Sequence, residues 1–313
     1  MSAIITQPIQ PLAVEVLDDE FNLIDATNFY LYKLSGLSKA KSTIKTYTAK
    51  MSVYQSFVET FGVGNCPRSH LQAFTAWLTD KELSSNTVNL TYSVIRGLYK
   101  FLHEIGAYPV DYSAVLKNVT VANDAGHASL SREQFYQINA QLKSATSMNA
   151  KRNWVMFVLL TMNGIRVSEL AGAMIENIKT NAGKKVLYLV RKGHSEANNY
   201  VVLQEQVYMM ILDFVGGRTS GAIFLSSRTD EAMTGGDVSR IIKTIFRTNG
   251  IDDAKITAHS LRSTFSIFAL EGGADLMALS HALNHKHLST TQIYLKDYNR
   301  LRKPAEDAVQ LDF

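Results

Sequence analysis

Apolar residues recur at three- and four-residue steps through the first third of the chain. Ile44, Tyr47, Met51, Tyr54, Phe57 and Phe61 keep this spacing and Gly62 closes the run, which predicts a helix with one stripe against a core. Ser69 followed by Gln72 predicts a capping box that opens a second helix through Leu71, Phe74 and Leu78. Ser84 and Ser85 precede a longer helix, with Val88, Ile95, Leu98, Leu102 and Ile105 inward and Gly106 at its end. Residues 1–20, with Pro8, Pro11 and an acidic cluster, read as a flexible tail, and residues 21–108 as a small all-helical domain.

The stretch 109–127 has turn formers at both ends and reads as a linker. A second capping box, Ser131 with Gln134, then starts a second domain over residues 128–313. Trp154 to Leu160, continuing through Leu170, is strongly apolar and predicts a pair of buried helices meeting near Asn163 and Gly164. Lys185 to Arg191 and Tyr200 to Leu203 are strand-like, with turns at Gly183 and Gly193. The remainder reads as helical, punctuated by Gly216-Gly217, Gly235-Gly236 and Gly272-Gly273. The expected fold class is mainly α with a small β-sheet (α+β).

Composition narrows the classes. A chain of 313 residues, 46% of them hydrophobic, can build two domains with real cores. It has no run of eighteen apolar residues, so no membrane span is expected, and its start shows no basic n-region followed by an apolar stretch. The single Cys66 cannot form an internal disulfide and suits a reducing cytoplasm. Net charge is +4, unevenly spread: the first 32 residues hold five acids and no Lys or Arg, and both domains beyond are mildly basic. That balance suits a phosphate-backbone binder but is shared by many proteins that never touch nucleic acid.

The chemistry concentrates late in the chain. His259-Ser260-Leu261-Arg262 is followed by Leu283-Asn284-His285, and Tyr294 comes nine residues after His285. Upstream, Gly164-Ile165-Arg166-Val167-Ser168-Glu169-Leu170 supplies another arginine, and Lys192 lies near the turn between the two strand-like runs. In-line attack on a phosphodiester builds charge on the non-bridging oxygens and needs a proton for the leaving oxygen. Arginines offer planar, permanently charged forks to such oxygens. Tyrosine can hold a phosphoryl group covalently, and His and Lys can move protons.

This set resembles the tyrosine site-specific recombinases, the phage integrase family. The family pattern has an arginine in a G-x-R-x-S-E-L stretch, a hairpin lysine, an H-x-x-R box, an L-G-H box and a tyrosine nine residues on; all six positions match in order. The motifs run from roughly Ser129 to Tyr294. The resemblance implies an N-terminal helical core-binding (SAM-like) domain and a C-terminal catalytic domain that form a C-shaped clamp on duplex DNA. It implies Arg166 and Arg262 as clamps on the phosphate, with Glu169 orienting Arg166. It implies Tyr294 as nucleophile, Lys192 as general acid, and His259 and His285 as phosphate and proton ligands. Cleavage would leave a 3′-phosphotyrosyl intermediate and a free 5′-hydroxyl, in integration, excision, resolution or inversion of a DNA element. Four protomers would act on two inverted-repeat core sites, with accessory DNA-bending proteins as candidate partners and a C-terminal oligomerisation tail carrying Leu301, Val309, Leu311 and Phe313. Lys39, Lys41, Lys45, Lys50, Arg96 and Lys100 become candidate DNA contacts. No metal, nucleotide or other cofactor is implied, and the location would be cytoplasmic, with the nucleoid.

Competing readings stand beside these. Arg166 could simply pair with Glu169 one helical turn on, and the two roles are compatible. Lys184, Lys185 and Arg191 compete locally with Lys192, Tyr298 with Tyr294, and His281 and His287 with His285. The helical-domain cations also suit a solvated surface. Asn284 stands where the family has Gly, Ser263 where His is frequent, and Arg191 where Gly often precedes the lysine. A type IB topoisomerase, or a non-catalytic DNA-binding relative, is the alternative function.

Overall fold

The computed structural model describes residues 22–37, 41–62, 67–121, 128–190, 197–285, 287–288 and 291–292. The tail read over residues 1–20, and Cys66, lie outside them. The chain divides into two compact units, residues 1–122 and 123–313.

Among its described residues the first unit holds four α-helices: α1 (Leu23–Gly36), α2 (Lys41–Phe61), α3 (Pro67–Thr79) and α4 (Ser85–Glu104). Asn22 caps α1 by accepting the Ile24 N–H at 2.9 Å, and Ser84 caps α4 through the Thr87 N–H at 3.3 Å. The start of α3 corrects the sequence reading: the helix opens at Pro67, so Ser69 lies inside its first turn and does not cap it. Proline suits a first helical position because the N–H it lacks would have no helical partner there. Met51, Tyr54, Leu71, Phe74, Ile95 and Leu98 form the fully buried centre. A polar chain crosses it, from His70 Nε2 to the Tyr54 hydroxyl at 2.9 Å and on to the Tyr99 hydroxyl at 2.7 Å.

Part of the segment read as linker packs onto this core. A 3-10 turn spans Tyr112–Val115, and Leu116 is buried with the helices. Arg96 Nη1 donates to the Leu116 carbonyl at 3.0 Å, and the Asn89 side chain exchanges two hydrogen bonds with the Val119 backbone.

The second unit opens with α5 (Arg132–Ser144), whose Ser131–Gln134 capping box forms as expected, followed by α6 (Met148–Met162) and the short α7 (Val167–Ala171). From Val155 to Thr161, α6 is buried on every side, which is why its sequence reads as apolar without a period. The strands β1 (Ile178–Asn181), β2 (Lys184–Leu189) and β3 (Asn199–Val202) form one antiparallel sheet in that order. Leu187 faces Ile178 on one side and Val201 on the other. Strand β1 was not foreseen: three of its four residues are exposed, so no buried alternation marks it.

Among the described residues four further helices follow: α8 (Glu205–Val215), α9 (Gly235–Thr248), α10 (Ser260–Glu271) and α11 (Leu276–Leu283). The expectation of a helical remainder broken only at its glycine pairs is corrected between Gly216 and Thr234. Isolated bridges Met174–Ala222 and Leu225–Ala232 organise the stretch before α9, where Arg218 donates to the Ala222 and Ile223 carbonyls. Gly235 and Gly236 open α9 instead of interrupting it, because Thr234 and Asp237 make a capping box around them.

Candidate active site

The turn from α6 into α7 sets the first arginine. Gly164 has φ +60°, and a Cβ there would sit 2.4 Å from Phe265 Cδ1, so both backbone and space require glycine. Arg166 follows in extended backbone at the cap position of α7. Its N–H donates to Glu169 Oε2 at 3.1 Å, and its Nη1 donates to Oε1 at 2.9 Å. Glu169 is 4% exposed and the Arg166 side chain 32%, so a buried carboxylate orients a guanidinium that reaches solvent. The salt bridge engages one edge of the planar fork and is compatible with a phosphate contact at another.

Arg262 lies on the first turn of α10 and is 3% exposed. Its Nη1 donates to the Gly164 carbonyl and its Nη2 to the Leu283 carbonyl. The first acceptor belongs to the turn that carries Arg166. The second is at the carboxyl end of α11, where carbonyls have no partner within the helix. One buried guanidinium thus joins the segments bearing Arg166 and His285. Beyond Leu283, Asn284 takes a left-handed conformation (φ 49°, ψ 54°), and its N–H returns to the His281 carbonyl at 2.9 Å. Asparagine tolerates this geometry better than other non-glycine residues. The His285 N–H then donates to the Ser280 carbonyl at 3.1 Å, and His285 Nδ1 lies 2.8 Å from Thr291 Oγ1.

His259 is exposed at the cap of α10, with its carbonyl accepting the Arg262 N–H at 3.0 Å. Arg166 and His259 line one cavity of about 840 Å³ with Ser168, Gly235, Lys243 and Arg247. His285 lines another of about 840 Å³, with Asn163, Tyr200, Phe265 and His281. Arg262 bonds the carbonyls of Gly164 and Leu283, which lie within two residues of Arg166 in the first lining and of His285 in the second. Sequence reading missed Lys243 and Arg247 as neighbours of Arg166 and His259; their four-residue spacing on a helix was the available signal.

Lys192 and Tyr294 lie outside the described residues, as do Arg191 and Tyr298. Lys192 belongs to the connection between β2 and β3, which pair antiparallel with Leu189 opposite Asn199. Its rivals sit at the opposite end of β2. Lys185 Nζ donates to Thr180 Oγ1 at 3.1 Å, and Lys184 pairs with Asn181 across the β1–β2 turn. Among the helical-domain cations, Lys41, Lys45 and Lys100 are exposed and Lys50 is half-buried. Arg96 is engaged with the Leu116 carbonyl, and Lys39 lies outside the described residues. Among the described residues no cluster of three or more His, Cys, Asp or Glu could hold a metal ion.

Two family profiles match the chain. The profile described as the phage integrase family covers residues 128–300, and that of the phage integrase N-terminal SAM-like domain covers residues 28–106. Tyrosine recombinase XerD of Rickettsia prowazekii is 26% identical over 282 residues, 84% of this chain and 90% of the relative. Tyrosine recombinase XerD of Vibrio cholerae is 30% identical over 238 residues, covering 72% of this chain and 74% of the relative. In fold, the chain is similar to a XerH site-specific recombinase solved in a post-cleavage complex with a palindromic difH substrate, with TM-score 0.69 and 19% identity over 85% of this chain and 78% of that one. The profile spans more than half of the chain, and with these relatives it shows that the chain belongs to the phage integrase family, the tyrosine site-specific recombinases.

Proposed function

We propose that this recombinase cuts and rejoins duplex DNA through Tyr294, with Arg166, Lys192, His259, Arg262 and His285 serving one phosphodiester. The Tyr294 hydroxyl attacks phosphorus and the bond to the 5′ oxygen breaks. That oxygen takes a proton from Lys192, and the phosphoryl group stays on Tyr294 as a 3′-phosphotyrosyl ester. The tyrosine proton passes to a histidine, and the two arginines stabilise charge on the non-bridging oxygens. A 5′-hydroxyl of the partner duplex then attacks the ester and releases the tyrosine. Bond energy is conserved throughout, so rejoining needs no ATP.

The observation that carries this reading is the position of Arg262, whose guanidinium holds the Gly164 and Leu283 carbonyls and so gathers three motifs distant in sequence. A guanidinium has five N–H groups, so this bracing is compatible with contact to a phosphate. The partner in this reading is double-stranded DNA with inverted-repeat core sites, bound by four protomers on two sites and assisted by DNA-bending proteins. Lys39, Lys41, Lys45, Lys50, Arg96 and Lys100 of a helical domain over residues 21–108 would contact its backbone. Residues 128–313 would supply catalysis and a C-terminal oligomerisation tail. No described helix is long and apolar enough to cross a membrane, and we place the protein with the DNA in the cytoplasm.

Covalent trapping tests the reading. The protein is incubated with sheared genomic DNA of its source, denatured, and the linked fragments are sequenced, with Tyr294→Phe in parallel. One short inverted-repeat site recovered by the wild type alone is the expected result. Linked DNA with Tyr294→Phe would overturn the nucleophile assignment, and linkage without a shared site would overturn site specificity.

A further inference from the structure

We infer that Thr291 is a positioning residue for His285, fixing the imidazole so that its Nε2 carries the hydrogen directed at the phosphate; the role of His285 in this inference rests on the function proposed above. Thr291 is fully buried, and its Oγ1 lies 2.8 Å from His285 Nδ1. Valine fills nearly the same shape, and a buried hydroxyl is costly unless it is bonded.

Other buried threonines among the described residues show the usual solution. Thr264 Oγ1 donates to the Ser260 carbonyl at 2.8 Å and Thr91 Oγ1 to the Thr87 carbonyl at 2.9 Å, each turning back onto its own helix. The hydroxyl of Thr291 meets instead an imidazole six residues earlier. The main chain of His285 is already held by its N–H bond to Ser280 and by the left-handed turn at Asn284. With the backbone held, turning the ring away would break its Nδ1 contact with Thr291. A hydroxyl donating into Nδ1 places the ring hydrogen on Nε2, the donor a non-bridging oxygen needs. When the ring gains a second proton, Nδ1–H donates to the same Oγ1, so the contact survives both charge states. The arrangement parallels metal sites, where the partner of one ring nitrogen decides what the other can do.

Long-range nitrogen–proton spectra of protein labelled at histidine nitrogen test this without DNA, with the His285 signals identified by their loss in His285→Gln. The wild type and Thr291→Ser should show His285 protonated at Nε2, and Thr291→Val a tautomer mixture with a shifted titration midpoint. Covalent linkage to sheared genomic DNA, followed against pH, gives the second readout. Thr291→Val should slow it roughly tenfold, the worth of one hydrogen bond at a reacting group, with a displaced pH profile. Thr291→Ser should restore it, and Thr291→Val should add nothing in a His285→Ala background. Melting curves confirm that each variant is folded. A wild-type ring protonated at Nδ1, or one indifferent to Thr291→Val, overturns the inference. Full linkage by His285→Ala would instead remove the proposed catalytic role of His285, leaving the spectra to decide the contact itself.

Discussion

Arg262 donates a hydrogen bond to the carbonyl oxygen of Gly164, a residue 98 positions earlier in the chain. Together with its bond to Leu283, this makes the arginine a brace as well as a charge. Arg262→Lys cannot reproduce a planar two-pronged donor, so it should lose strand cleavage and also destabilise the fold. Two buried carbonyls left short of donors predict a loss of about 2–4 kcal/mol for Arg262→Ala in urea unfolding. Unchanged stability in that variant would mean that the carbonyls find other partners and that Arg262 does not hold the site together.

Gly164→Ala should destabilise by about 2–3 kcal/mol, combining a left-handed backbone penalty with the overlap against Phe265. Pairing it with Phe265→Leu should recover the steric share and leave roughly 1 kcal/mol of backbone strain. Urea unfolding of the two single variants and the double variant separates the terms. Full recovery in the double variant would show that the backbone contributes nothing.

Glu169 does two jobs that can be separated. One oxygen accepts the Arg166 N–H and starts α7, and the other holds the guanidinium. Glu169→Gln keeps an acceptor for the backbone but weakens the grip on the arginine. It should cost about 1 kcal/mol or less in stability while reducing covalent linkage to DNA at least tenfold. Glu169→Ala should lose both. Equal losses of activity and stability in Glu169→Gln would assign the residue to helix capping alone.

Asn284 occupies a left-handed position with φ 49°. Asn284→Gly should therefore stabilise the end of α11 by about 0.5 kcal/mol or leave it unchanged, and Asn284→Val should cost about 1–2 kcal/mol. Thermal melting of both variants decides, and a melting point for Asn284→Val equal to the wild type would refute the backbone argument.

What the sequence made legible was local. The Ser131–Gln134 box, the Ser84 cap and the meeting of two helices near Gly164 each depend on residues within a few positions of one another. Strand β1 escaped because only Ile178 is even half-buried in it. The start of α3 escaped because Pro67 already opens the helix that Ser69 and Gln72 suggested. In the site, Arg166 with Glu169 was legible as a three-residue step, which the structure builds from the cap position to the third residue of α7. The bracing by Arg262 was not, because its acceptors are backbone carbonyls, which every residue carries and no spacing marks. Helix α9 hid its cleft-lining role for a similar reason: Lys243 and Arg247 look like surface cations until Arg166 and His259 come alongside.

The buried His70–Tyr54–Tyr99 chain predicts how the helical unit responds to acid. His70 is 6% exposed, and burial lowers its pKa from 6.5, while burial raises the Tyr54 hydroxyl well above its ordinary value. Tyr54 stays neutral at any physiological pH and can serve the imidazole only as a hydrogen-bond partner. Below pH 6.5 the unfolded chain takes up a proton at His70 that the folded chain refuses. Stability therefore rises with pH in this window and is lost as pH falls through it toward the depressed native value. One proton sets a ceiling of about 1.4 kcal/mol per pH unit. His70→Gln keeps a polar contact for Tyr54 without titrating, so it should be less stable than the wild type by about 1 kcal/mol at pH near 7.5 and less sensitive to acid. Urea unfolding at a series of pH values compares the two. The curves should converge as pH falls, because only the wild type loses this contribution. Parallel curves would mean that His70 accepts a proton inside the folded core as readily as in water, and that the tyrosine chain does not hold it neutral.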